Sequence, residues 1–278
     1  MLEEGYGSME RKFKYTGNFF KENLPEWKRR KDPVLSRIFY RPVSFYVAAL
    51  FANCGITANA VSYFSMVPGL TACMLLAIGS HAANVAAVLL VNLWLILDCT
   101  DGNLARSVKA QPFGDFADGM ASAVFSAFLY FAAGVSVYRL GGIWMRNGEL
   151  MSVALGGMAS VCNILMRYVY QRYTNHEKML MESGKLSQQA DMRKDTRQVD
   201  NWKVRLESFA FEGGIIPAFL LVCAVLKCLD IFLIYAFALY TGSSLIKITE
   251  YIVKAVRATR EIEAREKKNE KNNNIRDF

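Results

Sequence analysis

Residues 83–106 read ANVAAVLLVNLWLILDCTDGNLAR. Apart from Asn84 and Asn92 the stretch is apolar as far as Leu97, and its last turns then carry Asp98, Asp101 and Arg106. A helix needs about 20 apolar residues to cross the hydrocarbon layer of a bilayer. An apolar run of that length ending in acids reads as a membrane span with charged groups at one mouth. Residues 58–79, 114–138, 150–172, 214–227 and 231–253 follow the same rule, although 214–227 is short and needs its flanks. A soluble helical bundle would show a polar stripe on each helix, and the runs at 125–137 and 219–225 have none. The expected fold is therefore all-α and integral to a membrane. It comprises six transmembrane helices within residues 58–253, an amphipathic interfacial region before them (1–57) and a polar tail after them (254–278).

The chain has 278 residues, 53% apolar and 21% charged, with 33 Lys+Arg against 25 Asp+Glu and a formal charge of +8. That composition excludes intrinsic disorder. The basic excess would suit a nucleic acid or an anionic membrane face, and its distribution chooses between them. Six crossings put both termini on one side with the 107–113 turn and the 171–213 loop. That side collects every Lys and Arg except Arg139, Arg146 and Lys227, the positive-inside bias of a cytoplasmic face. Nucleic acid is thus not an expected partner, and no RNP-like or helix-turn-helix signal competes. The expected location is the inner (plasma) membrane of a bacterium or archaeon, with the site facing the cytoplasm.

Ahead of the first span, residues 13–31 interleave Phe13, Tyr15, Phe19, Phe20, Leu24 and Trp27 with Lys14, Lys21, Lys28, Arg29, Arg30 and Lys31. This pattern suits a helix lying in the interface, rings in the acyl boundary and cations toward lipid phosphates. Residues 42–54 are too short to span and read as a second interfacial or half-buried helix. The polar stretch 267–274 is expected to fray. No apolar core of a secretory signal occurs in the basic opening residues. The six cysteines include no CxxC pair and lie in or beside apolar runs, which points to reduced packing residues rather than zinc or disulfides.

Asp98 and Asp101 close the second span, and Asp115 and Asp118 open the third. Intramembrane acids are costly, so a cluster of them is a functional hypothesis by default. At 100° per residue, Asp98, Asp101, Gly102, Ala105 and Arg106 fall within an arc of about 140°. Asp115, Asp118 and Ser122 share a face of the next helix, and the short turn containing Pro112 makes the two helices antiparallel neighbours. Crowded carboxylates repel unless a cation lies between them, and an oxygen-only set suits a hard ion such as Mg²⁺, Mn²⁺ or Ca²⁺. A proton or sodium relay would use the same acids. Gly102 and Gly114 clear space, and Arg106 adds a cation one turn beyond; together these describe a site for a diphosphate.

These residues carry a resemblance. Asp98-x-x-Asp101-Gly102-x-x-Ala105-Arg106, seven residues, then Gly114-x-x-x-Asp118 resembles the signature DxxDGxxARx(7–8)GxxxDxxxD of the CDP-alcohol phosphotransferase family, with seven of its eight fixed positions present. Ile56-Thr57-Ala58-Asn59-Ala60-Val61-Ser62 is similar to the TPNxxT segment that opens the family's first span, with Ala58 in place of proline. The resemblance implies six spans, a cytosol-facing site, a homodimer, a CDP-linked donor, membrane lipids as partners and release of CMP. It also implies that Asp98, Asp101 and Asp118 ligate Mg²⁺ or Mn²⁺, while Gly102, Ala105, Arg106 and Gly114 shape the CDP pocket.

At the eighth position Ser122 replaces the family's fourth aspartate, the group that takes the acceptor's proton. Serine at its ordinary pKa is no useful base at neutral pH. Three readings follow: Asp115 substitutes from the same face, one turn nearer the cytosol; the acceptor is already anionic, a phosphate or phosphonate oxygen, and needs no base; or the protein binds nucleotide or lipid without turnover. Arg167, five residues inside its span, is the leading candidate for an acceptor subsite because a buried Arg requires an anionic partner. Arg172, Lys109, Arg37 and Arg41 are further candidates. Lys247 and Glu250 read as an i,i+3 pair, and the charges of residues 171–213 as a solvated loop. An ion-coupled transporter is the rival from another class; Arg106 and the glycine spacing argue against it.

Overall fold

The computed structural model describes residues 14–184, 186, 210–211 and 213–276; Phe13, and with it the start of the expected interfacial helix, lies outside them. Helices α1 (Gly17–Glu22), α2 (Glu26–Lys31) and α3 (Arg41–Asn53) lead to α4 (Ala58–Ile78), α5 (His81–Ser107), α6 (Gly114–Leu140) and α7 (Leu150–Glu182). Helices α8 (Ile216–Val225) and α9 (Leu229–Arg276) complete the chain, and a π-helical turn, Ser36–Tyr40, leads into α3. Among the described residues there is no strand. Five of these helices, α4, α5, α6, α7 and α9, are long and apolar enough to cross a membrane, which makes the chain an integral membrane protein.

The expected fifth crossing, residues 214–227, is the exception. Helix α8 has 10 residues, so it is about 15 Å long, half the hydrocarbon thickness of about 30 Å. Gly213 and Gly214 keep the preceding backbone out of the helix, Pro217 sits in its first turn, and Lys227 at φ 61° ends it. Irregular backbone at this depth must be satisfied by protein rather than water. Ser36 Oγ donates to the Gly213 carbonyl at 2.5 Å, and the Tyr235 hydroxyl to the Ala210 carbonyl at 2.9 Å.

Other boundaries also move. Residues 14–31 hold two short helices rather than one, because Pro25 cannot donate its nitrogen to a continuing helix and Asn23 closes α1. Helix α7 runs ten residues past the expected Arg172, and α9 continues through Arg276 where a fraying tail was expected. Rings of Tyr170 and Tyr173 on α7 lie 5.9 and 5.0 Å from Tyr251 on α9, which extends their pairing beyond the apolar stretch. Glu250 is held by Lys254 at 2.6 Å and by Lys247 at 3.7 Å. Of the cysteines, Cys73, Cys99, Cys223 and Cys228 are buried, Cys162 is half-buried and Cys54 is exposed.

The bundle packs α4 on α5 and α6, α6 on α7, and α7 on α9. Its main core stacks Trp94 on Phe125 at 4.1 Å and joins the hydroxyls of Tyr130 and Tyr240 at 2.7 Å. Helices α6 and α7 approach so closely that a Cβ on Gly156 would stand 2.3 Å from the Tyr130 carbonyl oxygen, the small-residue crossing that van der Waals packing in membranes favours. At the far end of α6, Asp230 is fully buried and accepts from the backbone nitrogens of Trp144 and Met145 at 2.6 and 3.2 Å. A second apolar cluster, including Phe20, Leu24, Phe45, Val61 and Leu97, docks the amino-terminal helices on α4 and α5.

Asp32 and Arg41 lock that docking with a forked ion pair, Nε–Oδ2 2.9 Å and Nη2–Oδ1 3.1 Å, and Lys28 approaches Asp32 at 3.1 Å. Burial by itself would raise the Asp32 pKa, but the charges and hydrogen bonds of Lys28 and Arg41 outweigh it and hold the carboxyl below its ordinary value. A depressed carboxylate pKa contributes stability above the unfolded-state value of about 3.9 that is lost as pH falls through the folded value. Asp32→Asn should therefore cost about 3–5 kcal/mol near neutral pH by leaving Arg41 buried and unpaired. Its deficit against wild type should shrink as the pH of detergent-solubilised unfolding is lowered below 4; a pH-independent deficit would show that the ion pair is not its cause.

Candidate functional site

The site forms where α5 ends and α6 begins. Thr57 caps α4, its side chain accepting from the Ala60 nitrogen at 3.3 Å. This cap turns Asn59 toward the α5–α6 connection: Asn59 Nδ2 donates to the Pro112 carbonyl at 2.9 Å, while its backbone nitrogen donates to Gln111 Oε1 at 3.0 Å. Phe113, at φ 61°, occupies the left-handed region and starts α6 back along α5. The short connection thus brings the acidic ends of both helices together.

Between them lies a cavity of about 1000 Å³, lined by Ser62, Asp101, Arg106, Gly114, Asp115 and Asp118. Gly102 and Ala105 line it as well. Asp101 is the buried acid, 6% exposed, and Ser62 Oγ donates to its Oδ2 at 2.5 Å. Asp115 and Asp118 stand toward the open side. A Cβ on Gly102 would lie 2.8 and 2.9 Å from the two terminal nitrogens of Arg106, whose guanidinium folds back across the position, so a side chain there would push that flexible end away. Asn59 and Ser62 also line the cavity, so the weakly matched segment at the start of α4 forms one of its walls.

Asp98, Ser122 and Arg167 line a neighbouring cavity of about 320 Å³ walled by Trp94, Met166 and Tyr240. Arg167 donates from Nε to Asn163 Oδ1 at 3.0 Å, from Nη1 to Ser122 Oγ at 3.1 Å and from Nη2 to Ser126 Oγ at 3.4 Å. The serine at the divergent position is therefore an acceptor for the arginine expected to hold an anion. Among the described residues no three His, Cys, Asp or Glu side chains are gathered as a metal set; Asp98 lines the smaller cavity and Asp101 and Asp118 the larger, with Asp98 and Asp118 both near enough to act on the Asp101 carboxylate.

The remaining basic candidates fall outside both cavities. Arg41 is buried against Asp32, and Arg37 donates to the carbonyls of Arg30 and Asp32 at 3.3 and 3.1 Å. Lys109 borders a separate groove with Thr57 and Gln111. Conversely, Asn175 and Lys178 line the larger cavity from the extension of α7, in the segment read as a solvated loop. Tyr170 and Tyr173, spaced i,i+3, were the signal that this segment continues as a helix with a partner.

The model of the family described as CDP-alcohol phosphatidyltransferase matches residues 55–192. The chain belongs to that family. No curated protein matches the chain closely enough to count as a relative. Every residue lining the larger cavity lies within the matched stretch, whereas Phe211, Gly213 and Tyr240 of the smaller one lie beyond it. The family placement carries transfer of phosphate-linked groups from CDP-alcohols as its general chemistry.

The Asn59 latch is open to test. One net hydrogen bond is worth about 1 kcal/mol, so Asn59→Leu should raise the rate of proteolytic nicking in the 107–113 turn about fivefold. An unchanged rate would mean that the turn is held by other contacts.

Proposed function

We propose that this protein transfers a substituted phosphoryl group from a CDP-linked donor to an acceptor at the cytoplasmic leaflet, releasing CMP, in phospholipid or related head-group synthesis. The observation that carries the reading is the juxtaposition of Asp101, Asp118 and Arg106 on one cavity large enough for a nucleotide, inside the stretch matched to the family. The orientation rests on the basic residues, which gather at that end of the bundle.

The donor set fits a hard divalent ion. Asp101 and Asp118 present only oxygen, from two helices, with Asp98 a turn deeper on α5 and no His or Cys among the lining residues, as Mg²⁺ or Mn²⁺ prefers. Asp98, Asp101 and Asp118 are the residues that would hold it. When bound, the ion would supply charge neutralisation for the diphosphate. The remaining work belongs to positioning and electrostatics. The Arg106 guanidinium faces diphosphate oxygens as a charge-assisted donor, and Ser62 orients the buried Asp101 carboxylate. Gly102, Ala105 and Gly114 keep the cavity open.

In the transfer, an acceptor oxygen forms a bond to the donor's substituted phosphorus, the bond to the CMP oxygen breaks, and CMP leaves with the electron pair. A hydroxyl acceptor must also lose a proton, which Ser122 is unable to take. We infer an acceptor oxygen that is already anionic, a phosphate or phosphonate, presented in the smaller cavity near Arg167. Asp115 lines the other cavity, which weakens its claim as a substitute base. A second reading, a nucleotide- or lipid-binding relative without turnover, is favoured by Ser122 itself.

Incubating purified protein with a panel of CDP-alcohols and Mn²⁺ or Mg²⁺, while following CMP and the remaining fragment, tests the reading directly. Turnover is expected, and Asp101→Asn should lower it at least about 100-fold; wild-type CMP release by that variant would refute the assignment of the site. Ser122→Asp should add hydroxyl acceptors to the range. If wild type already uses them equally well, the anionic-acceptor proposal fails.

A further inference from the structure

Asn103 occupies a variable position of the DxxDGxxAR stretch, between Gly102 and Ala105, and points away from the cavity into a buried network. It is 2% exposed. Its Oδ1 accepts from Arg41 Nη1 at 3.1 Å and from Arg106 Nη2 at 3.3 Å. Its Nδ2 donates to Ser44 Oγ at 2.9 Å, and Ser44 in turn donates to the Arg41 carbonyl at 2.8 Å. Guanidinium groups only donate, so the amide has one orientation compatible with both arginines: oxygen toward them, nitrogen toward Ser44.

Arg41 is fixed before it reaches Asn103. Its Nε and Nη2 are occupied by the fork on Asp32, a geometry that leaves Nη1 aimed at α5. There it also donates to the Cys99 carbonyl at 3.2 Å, in the turn between Asp98 and Asp101. Asp32 and Arg41 are 6% and 5% exposed, so the chain Asp32–Arg41–Asn103–Arg106 runs from the amino-terminal region to the cavity almost wholly out of solvent. Arg106 itself is exposed on the cavity side, and Gly102 supplies the space into which its guanidinium folds. A long, flexible side chain at a cavity mouth would otherwise sample many rotamers, with an entropic cost on ordering.

We infer that Asn103 is a positioning residue: it transmits the fixed geometry of the buried Asp32–Arg41 pair to Arg106 and holds that guanidinium pre-set for the donor's diphosphate. The inference rests on the proposed role of Arg106 in binding the CDP-linked donor. It gives the amino-terminal helices a part in the site, since the pair that docks them also sets the arginine.

The test is a double-mutant cycle on the full-length protein in detergent, with Mn²⁺-dependent CDP affinity as the readout and size-exclusion retention as the folding check. Arg106→Ala should weaken CDP binding at least about tenfold. Asn103→Leu should weaken it about fivefold, the value of one net hydrogen bond, and Asn103→Asp, which keeps an acceptor oxygen for both arginines, should restore affinity to within about twofold. Combining Asn103→Leu with Arg106→Ala should bind no worse than Arg106→Ala alone. If the two losses multiply instead, or if well-folded Asn103→Leu binds as wild type does, the inference is wrong. Asn103→Thr, whose hydroxyl is too short to serve both arginines, replaces the leucine variant in the cycle if that one does not fold, with the same outcomes. Should Arg106→Ala leave CDP affinity unchanged, the failure lies in the proposed function and not in the positioning role.

Discussion

A charged group in a lipid-facing bundle has to find its partner within the protein, because the surrounding medium offers no hydrogen bonds. The Asp32–Arg41 fork is where this constraint acts most strongly. It neutralises two buried charges, docks the amino-terminal segment on α5, and uses the remaining arginine nitrogen to grip the helix behind the acidic motif. The same constraint explains the Ser36 and Tyr235 hydroxyls on the carbonyls that precede α8, and Asp230 on the amides beyond α6.

Two cavities share the carboxylate end of the bundle and differ in character. The larger one has the more polar lining and is built wholly from residues in the stretch matched to the family. The smaller one has a floor of Asp98, Ser122, Asn163 and Arg167 and apolar walls drawn partly from α9 and the segment before α8. In the proposed reading the larger cavity takes the nucleotide and the smaller one the acceptor. Ser122, on the smaller cavity, takes a hydrogen bond from Arg167 where an aspartate would add negative charge beside Asp98.

The apolar windows located α4 to α7 within a few residues at their starts, because about 20 apolar residues in a row leave a chain few alternatives to a crossing helix. Composition was a poorer guide to where helices stop. Residues 173–182 and 254–276 are polar, yet they continue as helices, the first stretch meeting α9 through Tyr173 and Tyr251. Hydropathy measures a segment's preference for lipid, and helix–helix pairing in water is outside its scope. For the same reason Lys178 and Asn175 were legible as charges and amides but not as walls of the cavity.

Alternation of apolar runs and breaks along the chain determined that the protein is all-helical and membrane-embedded, and motif spacing placed Asp101, Gly102, Ala105, Arg106, Gly114, Asp115 and Asp118 around one site. Those are local properties: helical periodicity and a short turn leave two adjacent helix ends little freedom. Tertiary structure decided the rest. It shortened the fifth span to α8, lined a second cavity beside the first with Asp98, Ser122 and Arg167, and turned Arg41 from a candidate ligand into the buried partner of Asp32. Each of these outcomes depends on contacts between residues 9 to 177 positions apart, and no local pattern encodes which distant atom satisfies a buried one.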